Sequence, residues 1–294
     1  ATQQLDRIVI DECHVVLSRK YTFRKQLQQL GKLMMAETQM VLLTATLPPS
    51  EEEELWRRMY YEKEQVKVFR ARTARVNVGY RVIDVSGVGR QAEKEGFVLK
   101  LIKARFEGCG TGKVVVYCNT VGRVKRFAEE LGCDAYHHHA IGKDSILNDF
   151  TEGKQRIIVA TRALGMGVDI PDIRVIVHVD RPRTLLDYAQ ESGRAGRDGA
   201  RSEAIAIVDN GEGGWRDNEQ TEKDRRLVEK YMRGKDGSAV CRRIVLDEYL
   251  DARRVRVGCE EGEELCDVCG GIVGVEDKEA TGEERVEEEV EAEK

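Results

Sequence analysis

Two adjacent carboxylates, Asp11 and Glu12, directly follow the apolar run Ile8-Val9-Ile10. A buried strand that ends in this way can present both acids to a metal-bound nucleotide. One carboxylate then holds Mg²⁺ and the other orients the attacking water. The same pattern also arises wherever a buried strand meets solvent, so the acid pair leaves both interpretations open.

A second group suited to phosphate chemistry lies at residues 190–199, where the chain reads Gln-Glu-Ser-Gly-Arg-Ala-Gly-Arg-Asp-Gly. Small residues at Gly193 and Gly196 allow Arg194 and Arg197 to sit on closely approaching backbone. The planar fork of arginine matches phosphate oxygens and can stabilise the charge of a transferring phosphoryl group. Taken alone, the segment is also consistent with an arginine-rich turn.

Four of the eight cysteines cluster near the end of the chain. Without a basic, apolar, small-residue pattern at the start of the sequence, we expect thiols or metal ligands and not disulfides. Spacers of seventeen, six and two residues separate the clustered cysteines, and four thiolates form a tetrahedral structural zinc site. The predicted ligands are Cys241, Cys259, Cys266 and Cys269. The single cysteines, predicted to be packing or surface thiols, are Cys13, Cys109, Cys118 and Cys133.

Short apolar runs separated by segments of helical period predict parallel sheets with helical crossovers. The first two predicted strands cover residues 6–11 and 40–45. The remaining strand predictions are 114–117, 135–137, 156–160, 174–178 and 204–208, which together indicate a second α/β lobe. Residues 213–250 are charged and helical in period.

Composition sets the class of protein within which these motifs act. The chain has 294 residues, 41% of them hydrophobic, and a net charge of −5. Ten acidic and three basic residues fall in 276–294, so the body is close to +2 and permits nucleic-acid binding. No run approaches the roughly 20 apolar residues of a membrane span.

The order of the motifs along the chain distinguishes between the open interpretations. After Asp11-Glu12-Cys13-His14 come Leu43-Thr44-Ala45-Thr46, residues 114–119, residues 158–161 with 165–169, and residues 190–199. In this order the series resembles the superfamily 2 helicases, and its last block resembles the RecQ family. Cys241-Arg242-Arg243 and Cys266-Asp267-Val268-Cys269 are similar to the RecQ zinc-binding subdomain, whose spacing at Cys259 is usually tighter.

The resemblance implies an ATP-dependent DNA helicase that moves 3′ to 5′ and uses ATP, Mg²⁺ and Zn²⁺. Asp11 and Glu12 would be catalytic, Arg197 would be the arginine finger, and Arg194 would contact phosphate or the other lobe. Gln190 and Asp169, with Asp11, Arg194 and Arg197, would form the ATP-binding set.

The resemblance also implies contacts with DNA, both single-stranded and at duplex junctions. Thr44 and Thr46 would connect the nucleotide site to the nucleic acid, while Asn119 and Thr161 would touch the strand backbone. RecQ proteins carry a Trp-containing aromatic loop after the acidic motif. Here the loop has no Trp and is shorter, which leaves Tyr21 and Phe23 as residues that could stack on bases. Nuclear localisation and roles in DNA repair and recombination are further implications.

The expected architecture is α/β, with two RecA-like parallel-sheet lobes, the first one incomplete, and a small helical zinc-binding subdomain. The predicted limits are 1–86 for the first lobe, 87–212 for the second, 213–272 for the zinc-binding subdomain and 273–294 for an acidic disordered tail.

The sequence contains no P-loop, because position 107, where the pattern that ends in Gly112-Lys113 requires its first glycine, is Glu, and because Gly110-Thr111-Gly112-Lys113 precedes a strand. We expect a helicase fragment whose phosphate-binding portion lies upstream, and little or no ATP hydrolysis by this chain alone. The alternative is a non-catalytic nucleic-acid-binding remnant. A third possibility, an RNA helicase of the same superfamily, is weakened by the zinc cluster.

Overall fold

The computed structural model describes residues 5–17, 27–36, 38–165, 169–209, 221–234 and 238–270. The chain divides into two compact units. Unit 1 comprises Ala1–Ala74 and Leu246–Arg256, and unit 2 comprises Arg75–Val245 and Val257–Lys294. Both units contain parallel β-sheet, so the predicted α/β class is confirmed.

Unit 1 is built on a two-stranded parallel sheet in which Arg7 is in register with Gln39. Its strands are β1 (Arg7–Ile10) and β2 (Gln39–Leu42), its 3-10 helices include Cys13–Leu17 and Leu27–Ala36, and its first α-helix is α1 (Glu52–Arg58). The helical period predicted between the strands corresponds to the 3-10 helix at Leu27–Ala36. The buried core consists of Ile10, Cys13, Val16, Leu47, Leu55, Trp56 and Met59.

Unit 2 contains a six-stranded sheet, parallel throughout, in the order β3-β8-β7-β4-β6-β5. The strands are β3 (Val78–Asp84), β4 (Lys113–Tyr117), β5 (Asp134–Tyr136), β6 (Ile157–Ala160), β7 (Ile173–His178) and β8 (Ser202–Val208). The helices are α2 (Gln91–Gly108), α3 (Val121–Leu131), α4 (Lys143–Thr151), α5 (Leu185–Ser192), α6 (Glu222–Arg233), α7 (Arg242–Asp251) and α8 (Asp267–Gly270). The division between the units falls within α7.

The central strands of this sheet are buried on both faces, as expected where helices connect parallel strands. Val114, Val115 and Val116 of β4 are fully buried, and Phe127 of α3 packs in the same core as Val114 and Val116. Continuous apolar runs mark such strands in the sequence. The five strands predicted for the second lobe accordingly agree with β4 to β8 to within two residues at each end.

Strand β3 lies in the second sheet, whereas the sequence analysis assigned residues 1–86 to the first lobe. It pairs with β8 from Val78–Ser202 to Asp84–Val208. This pairing joins residues more than a hundred positions apart, and local periodicity carries no information about it. The other predicted domain limits stay predictions.

The outer edge of β3 is covered by the segment that carries the last cysteines. Arg243, which is fully buried, donates hydrogen bonds to the carbonyls of Arg75, Val76 and Val78 over 2.8–3.1 Å. The amide of Val82 donates to Asp267. Covering an edge strand in this way satisfies backbone groups that would otherwise pair with another chain.

No helix in the described ranges is both long and apolar enough to cross a membrane.

The position of Arg243 generates a stability prediction. Arg243→Met would remove the hydrogen bonds that the guanidinium donates to four main-chain carbonyls and its ion pair with the buried Glu263, and we expect the free energy of unfolding of unit 2 to fall by roughly 3 kcal/mol or more. Arg201→Met is the matched control, because Arg201 is exposed and pairs with Glu264 at the surface. Its expected effect is within about 0.5 kcal/mol. Equal losses for the two variants in urea denaturation would contradict this role for Arg243.

Candidate functional site

The acid pair lies at the carboxyl end of β1, and both of its residues are exposed. The backbone amide of Glu12 donates to Asp11 Oδ1 over 2.8 Å. Glu12 adopts a left-handed conformation with φ of +51°, which is costly for a residue other than glycine. Hydrogen bonds from Cys13 to the Leu43 carbonyl, and from Leu43 to the Ile10 carbonyl, hold this turn against β2. The backbone that carries the two carboxylates is therefore held in place, and both side chains are open to solvent.

His14 connects the acid pair to the segment after β2, a role that the sequence analysis did not assign. Its Nδ1 lies 2.9 Å from Thr44 Oγ1 and 3.3 Å from Glu12 Oε2. Thr44 Oγ1 also accepts a hydrogen bond from the backbone amide of Thr46, which is buried. Burial lowers the pKa of His14 below its ordinary value, although the negative charges of Glu12 and Asp11 act to raise it. The ring is therefore neutral at pH 7. Thr44 is thus in direct contact with the acidic motif.

The arginine segment, residues 193–199, follows α5 in a tight turn. Thr184 caps the start of α5 by accepting from the Asp187 amide over 2.9 Å, and the helix ends at Ser192. Gly196 has φ of +59°, and its amide donates to the Ile173 carbonyl over 2.8 Å. A Cβ at this position would collide with the Asn77 side chain. Glycine is therefore needed at this position for steric reasons, as predicted, because it allows the arginines to lie on closely packed backbone.

Two residues of the predicted ATP-binding set meet in the structure. Arg197 Nη1 lies 2.6 Å from Asp169 Oδ1, and the Asp169 side chain is 80% exposed. An ion pair with an exposed carboxylate contributes little stability. Arg197 thus pairs with a carboxylate that is open to solvent. Gln190 and Arg194 are both half-buried, at the end of α5 and just beyond it.

Two further polar residues near the arginine segment, His178 and Tyr117, were not identified from the sequence. His178, at the end of β7, is buried, and its Nε2 lies 2.9 Å from Glu191 Oε2. The His178 ring stacks on Tyr117, with centroids 5.2 Å apart. Burial raises the pKa of the Tyr117 phenol, and the charges of Arg194 and Arg197 oppose that rise. The apolar run of β7 gave no signal that His178, at its end, would be a polar core residue.

Asn119 and Thr161, predicted to contact nucleic acid, follow the paired strands β4 and β6. Asn119 is half-buried, and its side chain donates to the Arg181 carbonyl over 2.9 Å. Thr161 Oγ1 accepts from the Ala163 amide over 3.3 Å. Both side chains thus stabilise the loops at one edge of the sheet. Tyr21 and Phe23 lie outside the described residues.

The sulfur atoms of the four clustered cysteines all lie within 4.8 Å of one another. The cysteine cluster is the group Cys241, Cys259, Cys266 and Cys269. Cys241 Sγ is 3.8 Å from Cys259 Sγ and 3.7 Å from Cys266 Sγ. Zinc–sulfur bonds of about 2.3 Å in a tetrahedron give sulfur separations of about 3.8 Å. The donors therefore fit Zn²⁺, and Cys259 is among them despite the six-residue spacer that follows it.

Backbone amides donate to two of the sulfur atoms, whereas burial favours the protonated thiols. The Cys266 amide donates to Cys259 Sγ, and the Cys259 amide donates to Cys269 Sγ, each over 3.4 Å. Burial raises the pKa of Cys259 to about 11. A hydrogen bond between Cys241 and Cys266 raises the pKa of the first thiol and lowers that of the second. A bound metal would replace the thiol protons.

The residues next to the cysteines fix the cluster within unit 2. Arg242, beside Cys241, forms a bidentate pair with Asp267 at 2.9 and 2.7 Å, and both side chains are buried. Arg243 packs over the Tyr80 ring at 5.0 Å, in addition to its bonds with the carbonyls before and in β3. Neither arginine was assigned a role from the sequence, although both stand beside a predicted metal ligand.

Comparison with known proteins identifies the family of this chain. Residues 1–55 match the DEAD/DEAH box helicase family, and residues 93–199 match the helicase conserved C-terminal domain. The chain is 29% identical over 279 residues to the ATP-dependent DNA helicase RecQ of Haemophilus influenzae, covering 89% of this chain and 42% of that protein. The chain belongs to the RecQ family of superfamily 2 helicases. The recognition of this family from the order of the motifs is confirmed.

A second relative and a solved structure extend the comparison. This RecQ-family chain is 30% identical over 223 residues to the putative ATP-dependent DNA helicase Q1 of Caenorhabditis elegans, covering 72% of this chain and 34% of the relative. The chain thus spans less than half the length of these curated relatives. The structure of S. cerevisiae Dbp5 bound to RNA and ADP BeF3 superposes on this chain with a TM-score of 0.58 at 19% sequence identity. The superposition covers 80% of this chain and 59% of Dbp5, and it shows similarity of fold alone.

The turn at Gly196 provides a test of the geometry of the arginine segment. Gly196→Ala combines a left-handed φ penalty of roughly 1–2 kcal/mol with a steric collision that adds about 1–3 kcal/mol. Gly199→Ala is the matched control, because its φ is +82° but a Cβ would meet nothing within 4 Å. Thermal denaturation followed by circular dichroism should show the larger loss for Gly196→Ala. Equal losses would refute the close packing described for Gly196.

The cysteine cluster predicts the metal content of the purified chain. We expect one zinc ion per chain, and its loss in Cys259→Ala and Cys266→Ala, because a three-cysteine remainder binds the metal weakly. Cys118→Ala is the control, because Cys118 is buried outside the cluster. Elemental analysis after dialysis measures the ratio. Full zinc retention by Cys259→Ala would remove that residue from the ligand set.

Proposed function

We propose that this chain is part of a RecQ-like ATP-dependent DNA helicase that unwinds duplex DNA by moving 3′ to 5′ along a single strand. The observation that carries the proposal is the arginine segment, in which glycine-restricted backbone holds Arg197 against an exposed carboxylate. The acid pair at the end of β1 supplies the complementary chemistry. The names of the relatives, which describe ATP-dependent DNA helicases, support this assignment.

In this proposal each polar group has a role in phosphoryl transfer. Asp11 holds Mg²⁺, and Glu12, fixed by its left-handed backbone, orients the attacking water. Arg197 neutralises charge that develops on the transferring phosphoryl group, while Arg194 holds a neighbouring phosphate. Gln190 and Asp169 complete the ATP-binding set.

DNA contacts are proposed for residues on both lobes. Thr44 is bonded to His14 and so joins the acid pair to a segment that would contact nucleic acid, with Thr46 in the same turn. Asn119 and Thr161 lie at strand ends where the phosphate backbone of a single strand would pass. Tyr21 and Phe23 are proposed to stack on bases. Single-stranded DNA and duplex junctions are the proposed substrates.

Hydrolysis needs a phosphate-binding loop, and the 294 residues contain no glycine-rich sequence of the required pattern. Lys113 begins β4, is buried, and pairs with Asp172, so it is a structural residue. We therefore propose that the chain works as part of a longer polypeptide that supplies the loop. The relatives support this proposal, because each is more than twice as long as the part matched here.

The missing loop also favours a second candidate, a nucleic-acid-binding remnant that retains the second lobe and zinc-binding subdomain without motor activity. In that case DNA binding persists and ATP hydrolysis never appears. The acid pair and the arginine segment support the motor instead, because a binding protein has no use for a water-orienting acid. The cysteine cluster supports DNA over RNA as the substrate.

The remaining parts of the proposal concern the metal and the cellular role. We propose that Zn²⁺ is structural, because its four thiolate donors leave no open coordination position. Nuclear localisation, with work in DNA repair and recombination, is proposed from the family resemblance.

The deciding experiment compares this chain with the product of its coding sequence extended upstream to the first P-loop. We expect the extended protein to hydrolyse ATP with DNA stimulation and to unwind duplexes with a 3′ tail, and this chain alone to bind DNA but hydrolyse little or no ATP. Arg197→Ala should lower kcat of the extended protein about 10³-fold or more, whereas Arg201→Ala, at the surface, should not.

Two outcomes would contradict the proposal. DNA-stimulated hydrolysis by this chain alone would show that no upstream loop is needed. If no upstream loop is encoded, or the extended protein binds DNA without hydrolysing ATP, the binding remnant is the correct function.

A further inference from the structure

Two buried tyrosines connect the helix before the arginine segment to the helix after it. Tyr188 of α5 and Tyr231 of α6 are both fully buried. The Tyr231 hydroxyl donates to the Tyr188 hydroxyl over 2.8 Å, and the ring centroids are 4.8 Å apart. Each buried hydroxyl would be costly without a hydrogen-bonding partner. The pair therefore fixes the two helices in one relative orientation.

On one side this pair continues to the cysteine cluster. Arg242 Nη1 donates to the Tyr231 carbonyl over 2.6 Å and to the Met232 carbonyl over 3.1 Å. The same guanidinium forms the bidentate bond with Asp267. Arg242 and Asp267 each follow a metal-ligating cysteine directly in the sequence. The geometry of the cluster therefore determines where Arg242 holds the end of α6.

On the other side the pair continues to the arginine segment. The His178 ring lies 4.8 Å from the Tyr188 ring, and His178 Nε2 is bonded to Glu191. His178 also stacks on Tyr117, and the Arg194 amide donates a hydrogen bond to the Glu191 carbonyl over 3.2 Å. Glu191 is in the last turn of α5, three residues before Arg194. The contacts run without a gap from the cluster to the residues proposed to bind phosphate.

Directional bonds distinguish this path from ordinary core packing. Apolar side chains tolerate small rotations of one helix against another, whereas a hydroxyl pair and a bidentate guanidinium each allow one arrangement. A shift of Arg242 would thus either break its bonds or displace Tyr231. The path also lies wholly in unit 2.

We infer that Tyr188, Tyr231 and Arg242 are positioning residues, through which the metal-bound geometry of the cysteine cluster orders α5 and the arginine segment. The inference rests on the proposed function for the role of Arg194 and Arg197 toward a nucleotide. It assigns to the zinc-binding subdomain an effect on the phosphate-binding arginines as well as a structural role.

The test is hydrogen–deuterium exchange on this chain, read by mass spectrometry on peptides covering residues 185–199. We expect removal of zinc with a chelator to speed exchange in these peptides about tenfold, while peptides from α3 change little. Tyr231→Phe should retain its zinc and still exchange about five times faster in the same peptides, because one directional bond is lost.

Tyr136→Phe is the matched control, because it removes a tyrosine hydroxyl from β5, away from the path. Its exchange over residues 185–199 should equal that of the unmodified chain. Chelation should also add less to the exchange of Tyr231→Phe than to that of the unmodified chain, since both act through the same contacts.

The inference is overturned if Tyr231→Phe exchanges like the unmodified chain, or if chelation has its full effect in that variant. If chelation unfolds all of unit 2, the zinc-loaded Tyr231→Phe comparison still decides. None of these readouts requires nucleotide. A failure of the proposed helicase activity would leave them unchanged, and a failure of the coupling would leave the helicase proposal intact.

Discussion

The arrangement of unit 2 depends on the hydrogen bonds that the buried guanidinium of Arg243 donates. A charge without solvent exposure is tolerated only where hydrogen bonds replace its hydration, and here four main-chain carbonyls, including that of Glu264, together with the Tyr80 ring provide the replacement. These carbonyls belong to β3, to the chain just before it and to the segment between the cysteines. One side chain thereby closes the sheet edge and sets the position from which Arg242 and Asp267 act.

Left-handed backbone is found both in the acid pair and in the arginine segment, the two motifs proposed to act on phosphate. A positive φ is unfavourable for Glu12 because this residue has a side chain. Hydrogen bonds between this turn and the residues after β2 offset that unfavourable energy. Gly196 adopts the same region without that cost, but its neighbours leave no space for a Cβ. In each motif the backbone is constrained and the charged side chains remain accessible. Such pre-organisation is what electrostatic stabilisation of a transition state requires.

The sequence predicted the strands of the second lobe well because buried parallel strands are continuous apolar runs. The cysteine set could be read from spacing alone, since the chemistry of zinc restricts the choice of ligands. The position of β3 in the second sheet could not be predicted, because its partner strand β8 lies over a hundred residues away in the sequence. His178, Arg242 and Arg243 also escaped prediction. A polar residue in the core is recognised by the atoms that surround it, and those are known only from the fold.

The segment that carries the last three cysteines cannot be held by apolar burial. Val257 is 97% exposed and Leu265 is 50% exposed, so little hydrophobic surface is removed from water there. Small domains with this deficit depend on metals or on directional polar bonds. The sheet of unit 2, in contrast, has its own apolar core made by β4, β6, β7 and β8 with α2 and α3. Loss of the metal should therefore release the polar contacts around Arg242 and Asp267 while the sheet persists. In the coupling inferred above, a cysteine cluster attached to a self-sufficient sheet in this way would alter the order of the arginine segment on binding zinc without unfolding the lobe.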